Sequence, residues 1–254
     1  MTNNTQTLEK IGDDYFDNLG IRQLYVSNAL KHFSDRFMKK YKLTTYTDDS
    51  KSTLFFGIYD HNDMQSLIKH KGKKYVMFGG TDVTNLKKNI SRKNLLNNQK
   101  VSKYFTISNN VDQRVRELGF ISTQIDLSFH DNKLFAPISK YGNKIYIYNG
   151  YSPGNEQLYG KEQYEEVVKR LPQYEYIYSN QLKLKHEQMP ALYAQCFMGL
   201  RLTPNDGNAS TVQEMTAMGI PVVHNGEQGG LVWKNVDDVV NYIKKYAVTI
   251  GKKL

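Results

Sequence analysis

The sequence predicts an α/β fold built on parallel strands, and three observations lead to this prediction. Short apolar runs, such as residues 53–59 and 74–78, indicate buried strands. Segments with apolar residues at helical spacing lie between such runs. Turns of small residues follow several of the strands, as at residues 79–82 and 204–208. Together these features are typical of Rossmann-like units, and the chain is long enough for two of them.

Composition limits the classes of partner that the chain can bind. The sequence has 254 residues and a formal net charge of +9. This charge suits a nucleic acid, an anionic membrane face or a phosphorylated ligand. The lysines are scattered and accompany no zinc spacing or RNA-binding signature, so we expect no nucleic-acid partner. A peripheral membrane contact and a homodimer both stay open.

Cys196 and the apolar runs set an expectation for the compartment. A single cysteine excludes an internal disulfide framework and suits a reducing environment. Its apolar, helical surroundings favour a place in the core over a role as a nucleophile. No run of about 20 apolar residues and no signal peptide stands out. We therefore expect a soluble, cytoplasmic protein.

Strands and helices alternate through the first half of the chain. The predicted elements are, in order, an amphipathic helix at residues 21–40, a strand at 53–59, a helix at 64–70, a strand at 74–78, a strand at 101–108 and a helix at 111–119. The segment 139–143 (SKYGN) then predicts a linker. We therefore place the domain boundary near residue 138, which gives units 1–138 and 139–254.

The first unit is expected to hold a ligand crevice beyond the carboxyl ends of its strands. His61 follows one predicted strand, and the glycine turn follows the next. Paired glycines after a buried strand let another molecule lie against the backbone. We expect the crevice to be lined by His61, Gly79, Gly80 and Asp82. A histidine in a loop is alternatively an ordinary surface residue.

The second half repeats the alternation. Its predicted elements are a strand at 144–149, a helix at 156–170, a strand at 174–178, a helix and strand within 189–200 and a helix at 236–246. The last helix can pack back on the first unit. The strand at 174–178 leads directly to Ser179 and Asn180.

Residues 201–228 carry the clearest chemical signal. An apolar run ends near Leu202, and Ser210 or Thr211 is predicted to cap a helix that reaches about Met218. A strand at 220–223 follows at once. Small side chains at 207–210 and the N–H groups of the helix start suit a bound phosphate. The alternative is an ordinary loop before a helix.

The stretch DGNASTVQEMTAMGIPVV resembles the donor-binding signature of retaining glycosyltransferases of family 4, which is E-G-F-G, three residues, then E-A-M-A-x-G-x-P-V-V. Asp206 stands at the first acid and Glu214 at the second. Asn208 and Ala209 replace the family's Phe-Gly, and Asp206 has one methylene less than glutamate. The resemblance covers chiefly residues 145–243. A narrower likeness, in FFGIYDHND and YVMFGGTDV, is to small glycosyltransferases of large algal DNA viruses (chloroviruses).

The resemblance implies a GT-B fold, in which two Rossmann-like domains with parallel sheets face each other across a cleft. It also implies a retaining enzyme that takes a hexose from a nucleoside-diphosphate sugar without a metal or other cofactor. GDP-mannose, common in family 4, is favoured over UDP-sugars as the donor. The acceptor would be a glycan or glycoprotein bound on the side of the first domain. No catalytic histidine can be carried over, because Gly79 stands where the family often has one.

The resemblance also distributes roles among the residues. Asp206 would contact the transferred sugar and Glu214 the ribose, while Ser179 and Asn180 would hold the base. The diphosphate would lie over the amides of Gly207, Asn208, Ala209, Ser210 and Thr211. Tyr151 stands where the family has a phosphate-binding arginine, so the cation would come from Lys161 or Arg201, with Ser152 as a hydrogen-bonding group. Lys161 is alternatively a solvated helix lysine, and Arg201 a surface ion-pair partner.

Two other classes of function stay open at this point. A non-catalytic sugar-nucleotide binder is one, because the family's arginine and histidine have no clear counterpart. A basic, tyrosine-rich protein that binds nucleic acid is the other, since tyrosines can stack on bases while lysines contact phosphates. The sequence contains 19 tyrosines, but most of them lie in strand-like runs that predict core positions.

Overall fold

A computed structural model of the chain describes residues 9–128, 130–150, 154, 156–204, 206–226 and 229–251. The chain divides into two compact units, Met1–Phe129 and His130–Leu254. Each unit contains a parallel β-sheet accompanied by helices, which confirms the predicted α/β class and the parallel strands. Within the described ranges, none of the helices combines the length and the apolar character needed to cross a bilayer.

The first unit contains a seven-stranded sheet in the order β1-β7-β6-β5-β4-β2-β3. Its strands are β1 (Glu9–Lys10), β2 (Gln23–Val26), β3 (Thr44–Thr45), β4 (Thr53–Phe56), β5 (Lys74–Phe78), β6 (Val101–Thr106) and β7 (Ser122–Asp126). Its helices are α1 (Tyr15–Asn18), α2 (Ser34–Tyr41), α3 (His61–Lys69), α4 (Thr81–Lys88), α5 (Ile90–Asn97) and α6 (Asn109–Glu117). The strand order changes direction between β2 and β4, where a doubly wound sheet opens its crevice.

The second unit contains a four-stranded sheet in the order β11-β10-β8-β9. Its strands are β8 (Lys144–Ile147), β9 (Glu175–Tyr178), β10 (Cys196–Arg201) and β11 (Val222–His224). Its helices are α7 (Lys161–Arg170), α8 (Met189–Tyr193), α9 (Ser210–Ala217) and α10 (Val236–Thr249), and 3₁₀ turns lie at Glu156–Tyr159, Ser179–Gln181 and His186–Gln188. Here the strand order changes direction between β8 and β10.

Both sheets have a hydrophobic core on each face. Along β4, Leu54 and Phe56 pack on one face, and Phe55 packs on the other. Along β8, Ile145 packs on one face and Tyr146 on the other. A strand covered on both faces needs apolar residues at successive positions, not at alternate ones. This is why these strands were recognisable in the sequence as continuous apolar runs.

The predicted helix at residues 21–40 is wrong at its start. Residues 23–26 form β2, which pairs with β3 on one side and β4 on the other. A 3₁₀ helix follows at Asn28–Phe33 and leads directly into α2 at Ser34. Leu24 is 2% exposed because its strand lies inside the sheet. The helical spacing therefore holds from Asn28 onwards, whereas pairing with neighbouring strands overrides it before that.

Helix α3 starts earlier than the predicted helix at 64–70. Asp60 accepts a hydrogen bond from the N–H of Asp63 at 3.0 Å, and the Asp63 carboxylate accepts one back from the N–H of Asp60 at 3.0 Å. This reciprocal capping box satisfies donors at the helix start and lets the helix begin at His61. The acidic turn after β4 is thus a helix cap.

His70 makes the stability of the first unit sensitive to acid. Its ring is 2% exposed, lies 5.3 Å from the ring of Phe55, and both its nitrogens lack a partner among the described residues. Burial lowers its pKa from the ordinary 6.5. The backbone at Lys73 and Lys51 and the charge of Asp49 oppose this shift, while nearby Lys74 adds to it. The unfolded chain therefore binds a proton more readily than the fold does as the pH falls through 6.5.

We expect the free energy of unfolding to decrease between pH 7 and pH 5, and the His70→Leu variant to show a smaller decrease because it has removed this titrating group. Urea unfolding at both pH values measures the difference. An unchanged pH dependence in the variant would contradict the assignment to His70.

Candidate functional site

The carboxyl edge of the second sheet gathers polar residues from all four strands. Arg201 and His224 end β10 and β11, Ser179 follows β9, and Asn149 follows β8 after one intervening residue. Because the strands are parallel, their carboxyl ends share one edge, and this edge includes the change of direction between β8 and β10. The arrangement is the usual position of a ligand site in an open α/β sheet.

Arg201 packs against two aromatic rings that also contact each other. The centre of its guanidinium lies 4.2 Å from the ring centroid of Tyr148 and 5.4 Å from that of Tyr159. The negative faces of the rings attract the cation and restrict its rotation. The edge of the guanidinium therefore points in a fixed direction.

The edge of the guanidinium is occupied by Asp206. Arg201 donates from Nη2 to Asp206 Oδ1 at 3.1 Å and from Nε to Oδ2, so the pair is bidentate. Asp206 Oδ1 also accepts the N–H of Gly207 at 2.9 Å. The Arg201 and Asp206 side chains are only 13% and 10% exposed. The two residues singled out in the sequence thus bind each other.

The charges of the pair stabilise one another. Burial opposes ionisation of Asp206, but nearby His224, the adjacent Arg201 and the Gly207 N–H outweigh it and hold its pKa well below the usual range. Burial also acts against the charge of Arg201, and the Asp206 carboxylate raises the pKa of the guanidinium overall. His224 lies 3.7 Å from Asp206 through Nδ1, and this nitrogen accepts the Gly226 N–H at 3.1 Å. The 3.7 Å separation of His224 Nδ1 from the Asp206 carboxylate is too long for a hydrogen bond.

Helix α9 places Glu214 in a separate buried cluster. Its Oε1 lies 2.8 Å from His186 Nε2, and its Oε2 accepts the hydroxyl of Tyr193 at 3.1 Å. The Glu214 side chain is 4% exposed and that of His186 is 24% exposed. A ligand that reaches Glu214 must therefore share or replace these hydrogen bonds, with His186 as the more accessible group.

Helix α9 starts differently from the prediction. Ser210 is its first residue, Ala209 precedes it at the capping position, and no side chain of the described residues caps it. The predicted cap from Ser210 or Thr211 is therefore wrong; Thr211 is instead 2% exposed. Nearby, the Gln213 amide donates to the Asn208 side-chain oxygen. The N–H groups at the start of α9, and with them the positive end of the helix dipole, face the loop that precedes Ser210.

Asn149 joins the ends of β8 and β9. Its side-chain oxygen accepts the N–H of Asn180 at 3.0 Å, and its own N–H donates to Ser179 Oγ at 2.9 Å. The Asn180 amide donates to Glu156 at 3.1 Å. Ser179 is 1% exposed, so of the two residues expected to hold a base, Asn180 is the more accessible. Tyr151 and Ser152, expected near the phosphates, lie outside the described residues.

Lys161 begins helix α7 beside the same edge. Its Nζ lies 3.9 Å from Glu165, one turn along the helix, and its side chain is 41% exposed. Gly160 precedes it with φ +74°, and a Cβ atom at Gly160 would lie 2.4 Å from the carbonyl oxygen of Leu202. The start of α7 is therefore packed directly on the connection that follows Arg201.

We expect Gly160→Ala to lower the free energy of unfolding by about 2 kcal/mol or more, because it adds left-handed strain and displaces the Leu202 backbone. Gly119→Ala is the control, since Gly119 has φ +89° with no atom within 4 Å of an added Cβ. That variant should lose only about 1 kcal/mol from strain. Urea unfolding compares them, and equal losses would contradict a close approach at Gly160.

In the first unit, Asp82 binds its own loop. It is 0% exposed and accepts N–H groups from Ile58 at 3.3 Å, Gly79 at 3.1 Å and Gly80 at 2.8 Å. Burial raises its pKa, and these hydrogen bonds oppose the rise. Asp82 therefore joins the ends of β4 and β5 from within. His61, at the start of α3, is exposed, and Gly79 and Gly80 are partly exposed.

Sequence reasoning missed the partners of the residues that it selected. Tyr148, Tyr159, His186, Tyr193 and Asn149 were not proposed. The only available signal was position, since Tyr148 and Asn149 are the last two residues of the strand predicted at 144–149. His186 and Tyr193 lie more than 20 residues from Glu214 and are brought to it by the fold. Within the described ranges, no three His, Cys, Asp or Glu side chains gather as a metal site.

The burial of Cys196 and of several tyrosines agrees with what the composition predicts for them. Cys196 is 0% exposed, as expected for a core residue, and burial raises the pKa of its thiol to about 12. The thiol is therefore protonated near neutral pH and unsuited to nucleophilic attack. Tyr41, Tyr146 and Tyr193 are among the largest fully buried side chains, which fits the predicted core role of many tyrosines.

Comparison with known proteins identifies the type of fold. No protein-family model and no curated protein matches the sequence. The structure is similar to that of sucrose-phosphate synthase from Thermosynechococcus elongatus, with a TM-score of 0.54 and 12% sequence identity over 86% of this chain and 69% of that chain. This likeness shows that the chain shares the overall α/β fold of that protein.

Proposed function

We propose that the chain is a glycosyltransferase that takes a hexose from a nucleoside-diphosphate sugar. The observation that carries the proposal is Arg201, which packs against the rings of Tyr148 and Tyr159 at the carboxyl edge of a parallel sheet. A bidentate guanidinium next to a helix start is suited to phosphate. The fold shared with sucrose-phosphate synthase and the family 4 likeness of residues 206–223 support a sugar nucleotide as the source of this phosphate.

The donor binds to the second unit in this proposal. Its diphosphate lies at Arg201 and the start of α9, its ribose at Glu214, and its base near Asn180. GDP-mannose is favoured over UDP-sugars, on the family likeness alone. The acceptor, a glycan or glycoprotein, binds at the carboxyl edge of the first sheet near His61, Gly79 and Gly80. The buried, unreactive Cys196 suits a reducing compartment such as the cytoplasm.

The chemistry follows from the charge that develops on the leaving group. The bond between the anomeric carbon and the diphosphate oxygen breaks, and its electron pair leaves with the diphosphate. The acceptor hydroxyl forms the new bond to the same carbon and passes its proton to the departing phosphate. We propose that configuration is retained, as in family 4. Arg201 and the α9 amides stabilise the negative charge without a metal.

A calorimetric screen of GDP-, UDP- and ADP-sugars, with and without divalent metal, tests the proposal. We expect one nucleotide class to bind with micromolar affinity in the absence of metal, and its sugar to be released or transferred. Binding without any release would favour a non-catalytic sugar-nucleotide binder. Binding of none of the three classes would overturn the proposal.

A further inference from the structure

The Arg201 site has its own internal anion. The Asp206 carboxylate meets the guanidinium through two parallel hydrogen bonds. This fork-to-fork geometry is the one in which arginine holds a phosphate or carboxylate ligand. The rings of Tyr148 and Tyr159 lie against the guanidinium, so its edge is where a second anion would bind. A ligand anion and Asp206 therefore compete for the same donors.

The connection that carries Asp206 can release it. Leu202 and Ala209 are 1% and 6% exposed and anchor the two ends of the connection. Between these anchors the described residues are partly or fully exposed and form neither helix nor strand. Asp206 thus sits on a short irregular segment between two fixed points. A change in the backbone conformation of this segment would leave β10 and α9 in place.

The energetics also favour replacement of Asp206 by a ligand anion at Arg201. A buried ion pair gives little net stability, because the cost of removing both charges from water offsets their attraction. A diphosphate carries more negative charge than one carboxylate, so it interacts more strongly with the guanidinium at the same distance. Apart from Arg201, the hydrogen-bond donor to the Asp206 carboxylate among the described residues is the Gly207 N–H, while His224 Nδ1 lies 3.7 Å away and accepts the Gly226 N–H.

We propose that Asp206 is an internal occupant of an oxyanion subsite formed by Arg201, and that the phosphate of the ligand displaces it. This inference rests on the proposed function for its ligand and adds a switch to that site. In the free protein the carboxylate closes the subsite. When a diphosphate binds Arg201, Asp206 is released and becomes available to the hydroxyls of the sugar beyond the phosphate. Binding of the diphosphate thus frees the Asp206 carboxylate to contact the sugar that is transferred.

Titration of the full chain with inorganic pyrophosphate tests the displacement. We expect Asp206→Asn to bind pyrophosphate about tenfold more tightly than the wild type, the size of one charged hydrogen-bonding interaction. Asp237→Asn is the matched control, because it removes the same charge from an exposed ion pair with Arg170 in the same unit. Its affinity should stay within about twofold of the wild type. Equal or weaker binding by Asp206→Asn would overturn the proposal.

A second measurement uses the wild type and does not depend on how a variant folds. The ¹⁵N-arginine spectrum, with the Nε–H resonance assigned through Arg201→Lys, reports the partner of this group. Pyrophosphate should shift this resonance, whereas a permanent pair with Asp206 would leave it unchanged and refute displacement. Sugar release by the wild type is a separate readout. If Asp206→Asn binds pyrophosphate more tightly but the wild type releases no sugar from any donor, the displaceable subsite is supported and the proposed glycosyltransferase activity is rejected.

Discussion

Arg201→Met is expected to lower the free energy of unfolding by about 3 kcal/mol. This is the low end of the usual cost of leaving one member of a buried ion pair alone, because the irregular segment can carry part of the Asp206 charge toward solvent. Methionine retains most of the volume, so the loss reports chiefly the uncompensated charge of Asp206. That carboxylate is 10% exposed and has few other donors within reach. Urea unfolding at pH 7 gives the difference. Arg170→Met, at an exposed pair, should change stability by no more than about 0.5 kcal/mol.

The pH dependence of the same variant separates charge from packing. The pKa of Asp206 is lowered in the fold, so the pair's contribution is fully present above the ordinary carboxyl value of 3.8 and is lost as the pH falls through the lower folded value. We expect the wild type and Arg201→Met to differ most at neutral pH and to converge in strong acid, where Asp206 is protonated. A constant difference would show that lost packing is the cause.

The double variant Arg201→Met with Asp206→Leu completes the comparison. Hydrophobic replacement of a whole buried pair is often close to neutral, so it should recover a large part of the stability lost by Arg201→Met. Such recovery would indicate that the pair is kept for binding and not for stability. If the double variant were as unstable as the sum of the single variants, the two residues would act independently.

Local sequence signals were sufficient for the elements that are covered on both faces. The strands β4, β5 and β8 appear as unbroken apolar runs, and each was predicted close to its observed position. The failure at β2 has the opposite cause. This strand mixes polar and apolar residues because Gln23 is buried and bonded to the backbone of Asp48 at 2.8 Å. A buried glutamine with a distant partner cannot be recognised from local periodicity.

The site was predictable in position but not in its contacts. Arg201, Asp206 and Glu214 were selected because they lie at a strand end, in a turn and one turn into a helix. Which of them would face a ligand depends on partners from elsewhere in the chain. The ion pair joins two residues that are five positions apart in the sequence, and the buried cluster around Glu214 is assembled from α8 and a 3₁₀ turn. Sequence spacing does not encode the direction of these side chains.

Glu214→Ala is expected to weaken binding of GDP by about 1–3 kcal/mol, which is roughly five- to 150-fold, if this acid holds the ribose hydroxyls through its buried cluster. The loss should be much smaller for 2′,3′-dideoxy-GDP, which lacks those hydroxyls. Calorimetry on both nucleotides gives the comparison. Glu175→Ala is the control, because Glu175 pairs with Lys144 at the opposite, amino-terminal edge of the sheet.

Comparison of GDP with the dideoxy nucleotide distinguishes a direct contact of Glu214 with the ribose from a purely structural role of this residue. Glu214 accepts hydrogen bonds from Tyr193 and His186, so its removal leaves a buried hydroxyl without its acceptor. A purely structural loss would therefore weaken GDP and the dideoxy nucleotide equally. Glu214→Gln refines the comparison, since the amide keeps one acceptor for Tyr193 but loses the charge. Selective weakening of GDP in both variants would assign ribose recognition to Glu214, whereas equal weakening of the two nucleotides would remove it from the binding surface.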